Sequence, residues 1–151
     1  MRPCQYPIAT LLPHRPPMVL LDKVTGYDDN SLIAEVTITQ ASLFLGPQGV
    51  PGHVGIEYMA QACGAYAGAQ ALDSGDSVKI GLLLGTRDYR VMVPYFRRGD
   101  RLLIAVAMVF RDEPVAAFAC SITIGGKIAA EAQLKVYQAG DDWLRLGHGG
   151  K

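Results

Sequence analysis

Net charge is absent from this 151-residue chain, in which 14 Lys and Arg offset 14 Asp and Glu. General nucleic-acid binding relies on a net basic field to capture phosphates, so it is not expected here, although a local basic patch remains compatible. Cysteine is scarce. Cys4, Cys63 and Cys120 lie far apart, no pair has metal-ligand spacing, and an odd count argues against a disulfide framework. Cys63 and Cys120 fall in apolar runs, where a thiol behaves as a small hydrophobe. No metal and no cofactor are expected. A continuous apolar leader is also missing, because Met1 to Ile8 contains Arg2, Pro3, Gln5 and Pro7. No signal peptide is read there, and a cytoplasmic protein is expected. With 50% apolar and 19% charged residues, the chain has the composition of a folded protein. Its length suits one domain over 1–151, with a folded core over 6–138 and a loose glycine-rich tail over 140–151.

The order of elements follows from periodicity. Residues Tyr6 to Pro17 are proline-rich and read as an irregular lead-in. Met18 to Tyr27 reads as a strand. Ser31 to Thr39 reads as another, with Leu32, Ala34, Val36 and Ile38 facing inward and Ser31, Glu35, Thr37 and Thr39 on a wet face. After a Gly- and Pro-bearing connection, His53 to Leu72 lacks proline and is rich in alanine, which predicts a helix. Apolar nearly all round, that helix is buried or spans a membrane. Glu57, Gln61, Gln70 and three glycines exclude membrane insertion, leaving a core helix. Four strands are then predicted at Val78–Val93, Arg101–Phe110, Val115–Ile124 and Ile128–Tyr137, arranged as antiparallel hairpins. Arg101–Phe110 is apolar on both faces and so is placed centrally, and Gly125-Gly126 makes a tight turn. One apolar helix among so many strands implies an α+β fold of about six strands, in which a curved sheet covers the helix.

Within the helix, Glu57 is the one acidic residue. A carboxylate among apolar neighbours must find partners or shift its pKa, which makes it a candidate general acid or base. Gln61 lies one turn further along the same face and His53 one turn earlier. The N–H groups of Gly52, His53 and Val54 open the helix and could polarise a carbonyl. Val50, Pro51, Tyr58 and Gln61 are the candidate pocket residues. From pattern alone, Glu57 could equally serve the helix dipole in its first turn. Arg87, Arg90, Arg97, Arg98 and Arg101 crowd one strand-turn-strand unit. Arg97, Arg98 and Arg101 are the candidate contacts for an acidic partner, as against an ordinary solvated turn.

Two segments carry a family resemblance. Val50-Pro51-Gly52-His53-Val54-Gly55-Ile56-Glu57-Tyr58-Met59-Ala60-Gln61 resembles the helix start of the bacterial FabZ and FabA dehydratases. Leu12-Pro13-His14-Arg15 and the apolar run after it resemble the FabZ N-terminal signature. A weaker match runs from Pro94 to Gly99-Asp100. The likeness covers residues 11 to about 137. It implies a hotdog fold, two sheets joined edge to edge in a dimer, and removal of water from a 3-hydroxyacyl thioester on acyl carrier protein. In these dimers a histidine takes the C2 proton, an acid from the other subunit assists the leaving hydroxyl, and backbone N–H groups hold the thioester oxygen. The acid position falls on Glu57.

The resemblance fails at the histidine. The family places it in Gly-His-Phe-Pro, fourteen residues before the acid, and that count reaches Leu43 in Ser42-Leu43-Phe44-Leu45. His53 could substitute, the chain could be a non-catalytic half, or a partner subunit could supply the base. The last is favoured because the Glu57 segment is similar to the ApeP-type proteins of aryl-polyene biosynthesis, which act with a second dehydratase-like subunit. The expected function is therefore a dehydratase subunit partnered by acyl carrier protein, in a homodimer or, by preference, a heterodimer of hotdog subunits. A thioesterase and an acyl-thioester-binding scaffold are the alternatives. His14 reads as structural, since its backbone is held between prolines.

Overall fold

In the computed structural model, residues 1–14, 17–79 and 81–138 are described. The loose tail expected at 140–151, and Arg15 of the N-terminal signature, lie outside them. The strands are β1 (Arg2–Pro3), β2 (Lys23–Tyr27), β3 (Ser31–Thr37), β4 (Val50–Pro51), β5 (Gly81–Val91), β6 (Tyr95–Phe96), β7 (Arg101–Asp112), β8 (Val115–Ile124) and β9 (Lys127–Gln138). A short helix α1 (Ile8–Leu11) precedes β2, and the long helix α2 (Gly55–Asp73) follows β4 after one 3-10 turn at Gly52–Val54. Seven strands form one antiparallel sheet in the order β1-β2-β3-β7-β8-β9-β5, and β4 pairs with β6 beside it. Helix α2 touches β3, β5, β7, β8 and β9.

Strand β7 is central, as its composition suggests, but it is not buried on both faces. Leu102, Ile104 and Val106 point into the core, whereas Ala107 and Val109 are exposed. The hairpin expectation holds for β7-β8-β9 and fails for β5. That strand leaves α2 and joins the far edge beside β9, from Gly81 opposite Gln138 to Val91 opposite Ala130.

Two strands are shorter than their apolar runs. Residues 18–22 lie outside β2: Met18 and Leu20 give their backbone groups to Gln61 of α2, and the Asp22 N–H donates to the Glu35 carbonyl at 2.9 Å. In β3 the wet face is interrupted. Glu35 is buried, and Arg101 covers it at 2.7 Å with Lys23 at 3.5 Å. The Arg101 hydrogen bond is the main reason the Glu35 carboxyl is held below its usual pKa. In β9 a bulge breaks the simple alternation. Ile122 faces Ala130 and Thr123 faces Ile128, so Ala129 is the extra residue, and both alanines are buried while Ile128 is exposed.

The core is continuous from the N-terminal segment to β9. Its largest wholly buried side chains include Leu11, Leu32, Met59, Phe96, Ile104, Ile122 and Leu134. The alanines of α2 let the sheet approach the helix closely. Its glycines do something more specific. A Cβ at Gly68 would overlap the carbonyl of Leu11, and one at Gly64 would press on Leu12. These two positions hold the N-terminal segment against the helix, and Gly55 in the same way admits the Tyr89 hydroxyl. They are therefore packing contacts.

Candidate active site

The start of α2 is fixed by backbone pairing. Val50 and Pro51 pair with Phe96 and Tyr95, after which the Gly52 N–H donates to the Pro94 carbonyl at 2.9 Å. A side chain at Gly52 would come within 2.7 Å of the Val93 carbonyl, so the close crossing requires glycine. The Tyr89 hydroxyl donates to the Gly52 carbonyl at 2.6 Å, and burial pushes that phenol up to about 12.

This geometry revises several expectations. The Gly52 N–H, expected to face a thioester oxygen, is already engaged by Pro94. Val54 is a core side chain, while His53 is exposed and makes no hydrogen bond to Glu57 among the described residues. His53 does not line the cavity described below, so the idea that it replaces the missing base loses its geometric support. Val50 and Tyr58 are buried in the core, Tyr58 against Phe96 with ring centroids 5.9 Å apart, and Pro51 also lies outside the cavity lining. Burial is the leading reason that the Tyr58 phenol rises to about 12, with the Asp22 charge adding to it.

Glu57 and Gln61 do come together. Gln61 is buried, accepts the Leu20 N–H at 2.9 Å, donates to the Met18 carbonyl at 2.7 Å, and reaches Glu57 at 3.4 Å. With its amide locked by backbone on both sides, Gln61 presents a fixed donor to the carboxylate. Glu57 is half-buried, which corrects the expectation of a greasy enclosure. Its other lone pairs face a cavity of about 750 Å³.

The cavity follows one stripe of α2, through Glu57, Ala60, Gln61, Gly64, Ala67 and Ala71, to Ser74 just past its end. From Glu57 to Ser74 that stripe is about 25 Å long at 1.5 Å per residue. Met108, Phe118 and Val136 of the sheet form the opposite wall. The far end is polar, with Gln70, Asp76, Lys79 and Arg111. An elongated cavity with apolar walls and a few convergent polar groups has the character of a ligand site.

Three of the lining residues not singled out as functional from sequence bear on the chemistry. Cys63 opens onto the cavity and lies 3.9 Å from Cys120 through sulfur; burial raises its thiol pKa well above the ordinary value, so it remains an inert thiol as expected. Tyr66 donates to the Asp29 carbonyl, and its phenol is raised chiefly by burial. The third is His14, which lines the cavity and lies in sequence between Leu12, packed at Gly64, and Met18, whose carbonyl meets Gln61. The i, i+3/i+4 run of small residues from Ala60 to Ala71 was the available signal for the cavity face. Nothing in sequence spacing places His14 beside it. Among the described residues no cluster of His, Cys, Asp and Glu could hold a metal ion, and no helix is long and apolar enough to cross a membrane.

The arginines separate into two groups. Arg97 and Arg98 are exposed at the turn between β6 and β7, where the Arg97 N–H is fixed by Asp100 at 2.8 Å. Arg101 is committed to Glu35 and is not a free surface cation.

Comparison with known proteins agrees with this architecture. The chain is 35% identical over 135 residues to the 3-hydroxyacyl-acyl-carrier-protein dehydratase FabZ of Chlamydia trachomatis serovar L2, covering 84% of this chain and 86% of that one. It is 31% identical over 134 residues to the FabZ of Chlamydia muridarum, covering 84% and 86%. Among solved structures it superposes on a chain of the dehydratase heterocomplex ApeI:P from Xenorhabdus doucetiae with a TM-score of 0.88 and 32% identity, covering 98% of this chain and 100% of that one. A hypothetical thioesterase of Streptococcus pneumoniae, at 14% identity and a TM-score of 0.63 over 78% and 85% of the two chains, shares the fold. Residues 6–145 match the family described as ApeP-like, ApeP dehydratase. The chain is a hotdog-fold dehydratase and belongs to the ApeP-like family.

Proposed function

We propose that this chain is one half of a mixed dehydratase that removes water from a 3-hydroxyacyl thioester carried on acyl carrier protein. Glu57 protonates the departing C3 hydroxyl, and a partner hotdog subunit supplies the base that takes the C2 proton. Electrons from the broken C2–H bond form the alkene as the C3–O bond breaks, and the hydroxyl leaves as water. A fixed neighbour such as Gln61 orients the carboxyl so that it meets the hydroxyl without searching rotamers.

One observation carries the reading: Glu57 faces a long cavity, while the family histidine position is occupied by Leu43, packed against the core. The half-site needs a complement. Strand β5 offers a place for one, because it is an edge strand of 11 residues with unpaired backbone groups and with Leu83, Leu84 and Val91 exposed. The similarity to a chain of a dehydratase heterocomplex supports a second, different hotdog subunit at that edge. The exposed Arg97 and Arg98 then meet the acidic carrier protein.

The test is turnover of a 3-hydroxyacyl carrier protein by this chain alone, by a hotdog partner bearing Gly-His-Phe-Pro alone, and by the two mixed. Alkene should form with the mixture and hardly at all with this chain by itself. Thiol release without alkene, independent of the partner, would replace the dehydratase reading by a hydrolase one.

A further inference from the structure

The His14 imidazole belongs to the same cavity as Glu57 and has no part in the scheme above. It is held in place by packing. Leu11 and Leu12 are buried against α2, at the two positions where Gly64 and Gly68 give them room. Its two ring nitrogens are in different situations. Among the described residues Nδ1 is enclosed and has no hydrogen-bond partner, and Nε2 is not among the enclosed orphans.

That asymmetry selects a tautomer. A neutral imidazole carries its proton on one nitrogen and a lone pair on the other. Placing the N–H on Nδ1 would bury an unsatisfied donor, which is costly. Placing it on Nε2 leaves only an idle lone pair inside and turns the donor outward. A histidine that acts as a base through Nε2 needs the opposite arrangement, with Nδ1–H held by a carbonyl or carboxylate. Among the described residues no such partner is present at His14.

We infer that His14 is a substrate-contacting donor, whose Nε2–H hydrogen-bonds an oxygen of the acyl thioester bound at the Glu57 end of the cavity. It is not the missing base. The inference rests on the proposed function, since it takes the acyl thioester as the occupant. It also gives the cavity a donor where the Gly52 N–H is already engaged by Pro94.

Side-chain amides separate the roles, because the Gln nitrogen can replace Nε2 and the Asn nitrogen can replace Nδ1. The probes are octanoyl-pantetheine and 3-hydroxyoctanoyl-pantetheine, titrated against the mixed complex. His14→Ala and His14→Asn should each weaken binding about tenfold, the loss of one hydrogen bond, and His14→Gln should recover most of it. Equal losses for both probes assign the thioester oxygen, and a loss confined to the second assigns the hydroxyl. Nitrogen-15 NMR of the wild-type chain, which has three histidines, should show the His14 proton on Nε2. That readout stands even if a variant misfolds.

A proton on Nδ1, or Asn recovering binding where Gln does not, overturns the inference. So does unchanged affinity in His14→Ala. If Glu57→Gln abolishes turnover while every His14 variant binds and turns over as wild type, only the His14 role is lost. If Glu57→Gln also turns over normally, the proposed function itself is wrong.

Discussion

Helix α2 carries a carboxylate near each end, and the two are treated in opposite ways. Asp73 closes the helix with its oxygens occupied: Tyr6 donates at 2.5 Å, Tyr27 at 3.0 and 2.8 Å, and Arg2 stands at 3.6 Å. Glu57 opens the helix with one long contact of 3.4 Å from Gln61 and a cavity in front of it. A carboxylate whose lone pairs are filled by the protein has none to spare for a substrate. One held on a single side keeps its orientation and remains available. On the proposed function, chemistry and stability are thus divided between the two ends of one helix.

The strongest way to break this comparison is to neutralise each acid in turn. Glu57→Gln should lower dehydration by the mixed complex about 10²- to 10⁴-fold, the range for loss of a positioned general acid, with little change in the thermal midpoint. Asp73→Asn should do the reverse, lowering the midpoint and leaving kcat near wild type. If both substitutions reduced turnover alike, the division would be false.

A smaller effect is expected where the N-terminal segment crosses the middle of the helix. Gly68→Ala places a methyl group on the Leu11 carbonyl, and backbone cannot step aside as a flexible side chain can. Overpacking of this kind costs about 1–3 kcal/mol, to be read from chemical denaturation. Because Leu11 anchors the segment that bears His14, acyl-thioester affinity should fall with it. Stability lost with affinity intact would separate the anchor from the site.

How much of this was legible in sequence depended on whether the signal was local. The boundaries of β8, the Gly125-Gly126 turn and the core position of α2 follow from alternation and composition, which act over neighbouring residues. The far-edge placement of β5 does not, because strand order is decided by packing around the whole helix. Glu57 was legible as the one acid in the apolar run from His53 to Leu72. Its half-burial was not, since the cavity that relieves it is built from β7, β8 and β9. His14 reads as structural in sequence, and its place in the cavity lining was not legible, because Gly64 and Gly68, which give Leu12 and Leu11 room, lie some fifty positions later. The arginine cluster was read by proximity in sequence, which cannot reveal that Arg101 is taken by Glu35 across two strands.

The finest test of the comparison is pH. The hydrogen bonds from Tyr6 and then Tyr27 hold the Asp73 carboxyl below its usual pKa. A lowered folded pKa means that the ionised form is preferred in the fold. Its contribution is therefore complete above the unfolded value of about 4 and fades as pH drops through the folded one. The Tyr6 phenol is shifted the other way, up to about 12, chiefly by its hydrogen bond to Asp73. Its contribution is present below about 10, the unfolded value, and fades as pH climbs toward 12. The stability gap between wild type and Asp73→Asn should accordingly be flat near neutrality and narrow at both extremes. Its plateau should be only about 1 kcal/mol, since the Asp73 side chain is 34% exposed and water screens the contact. Denaturation midpoints at pH 3, 7 and 11 measure it. A gap that widened in acid would place the stabilising charge elsewhere, and Asp73 would lose its standing as the structural counterpart of Glu57.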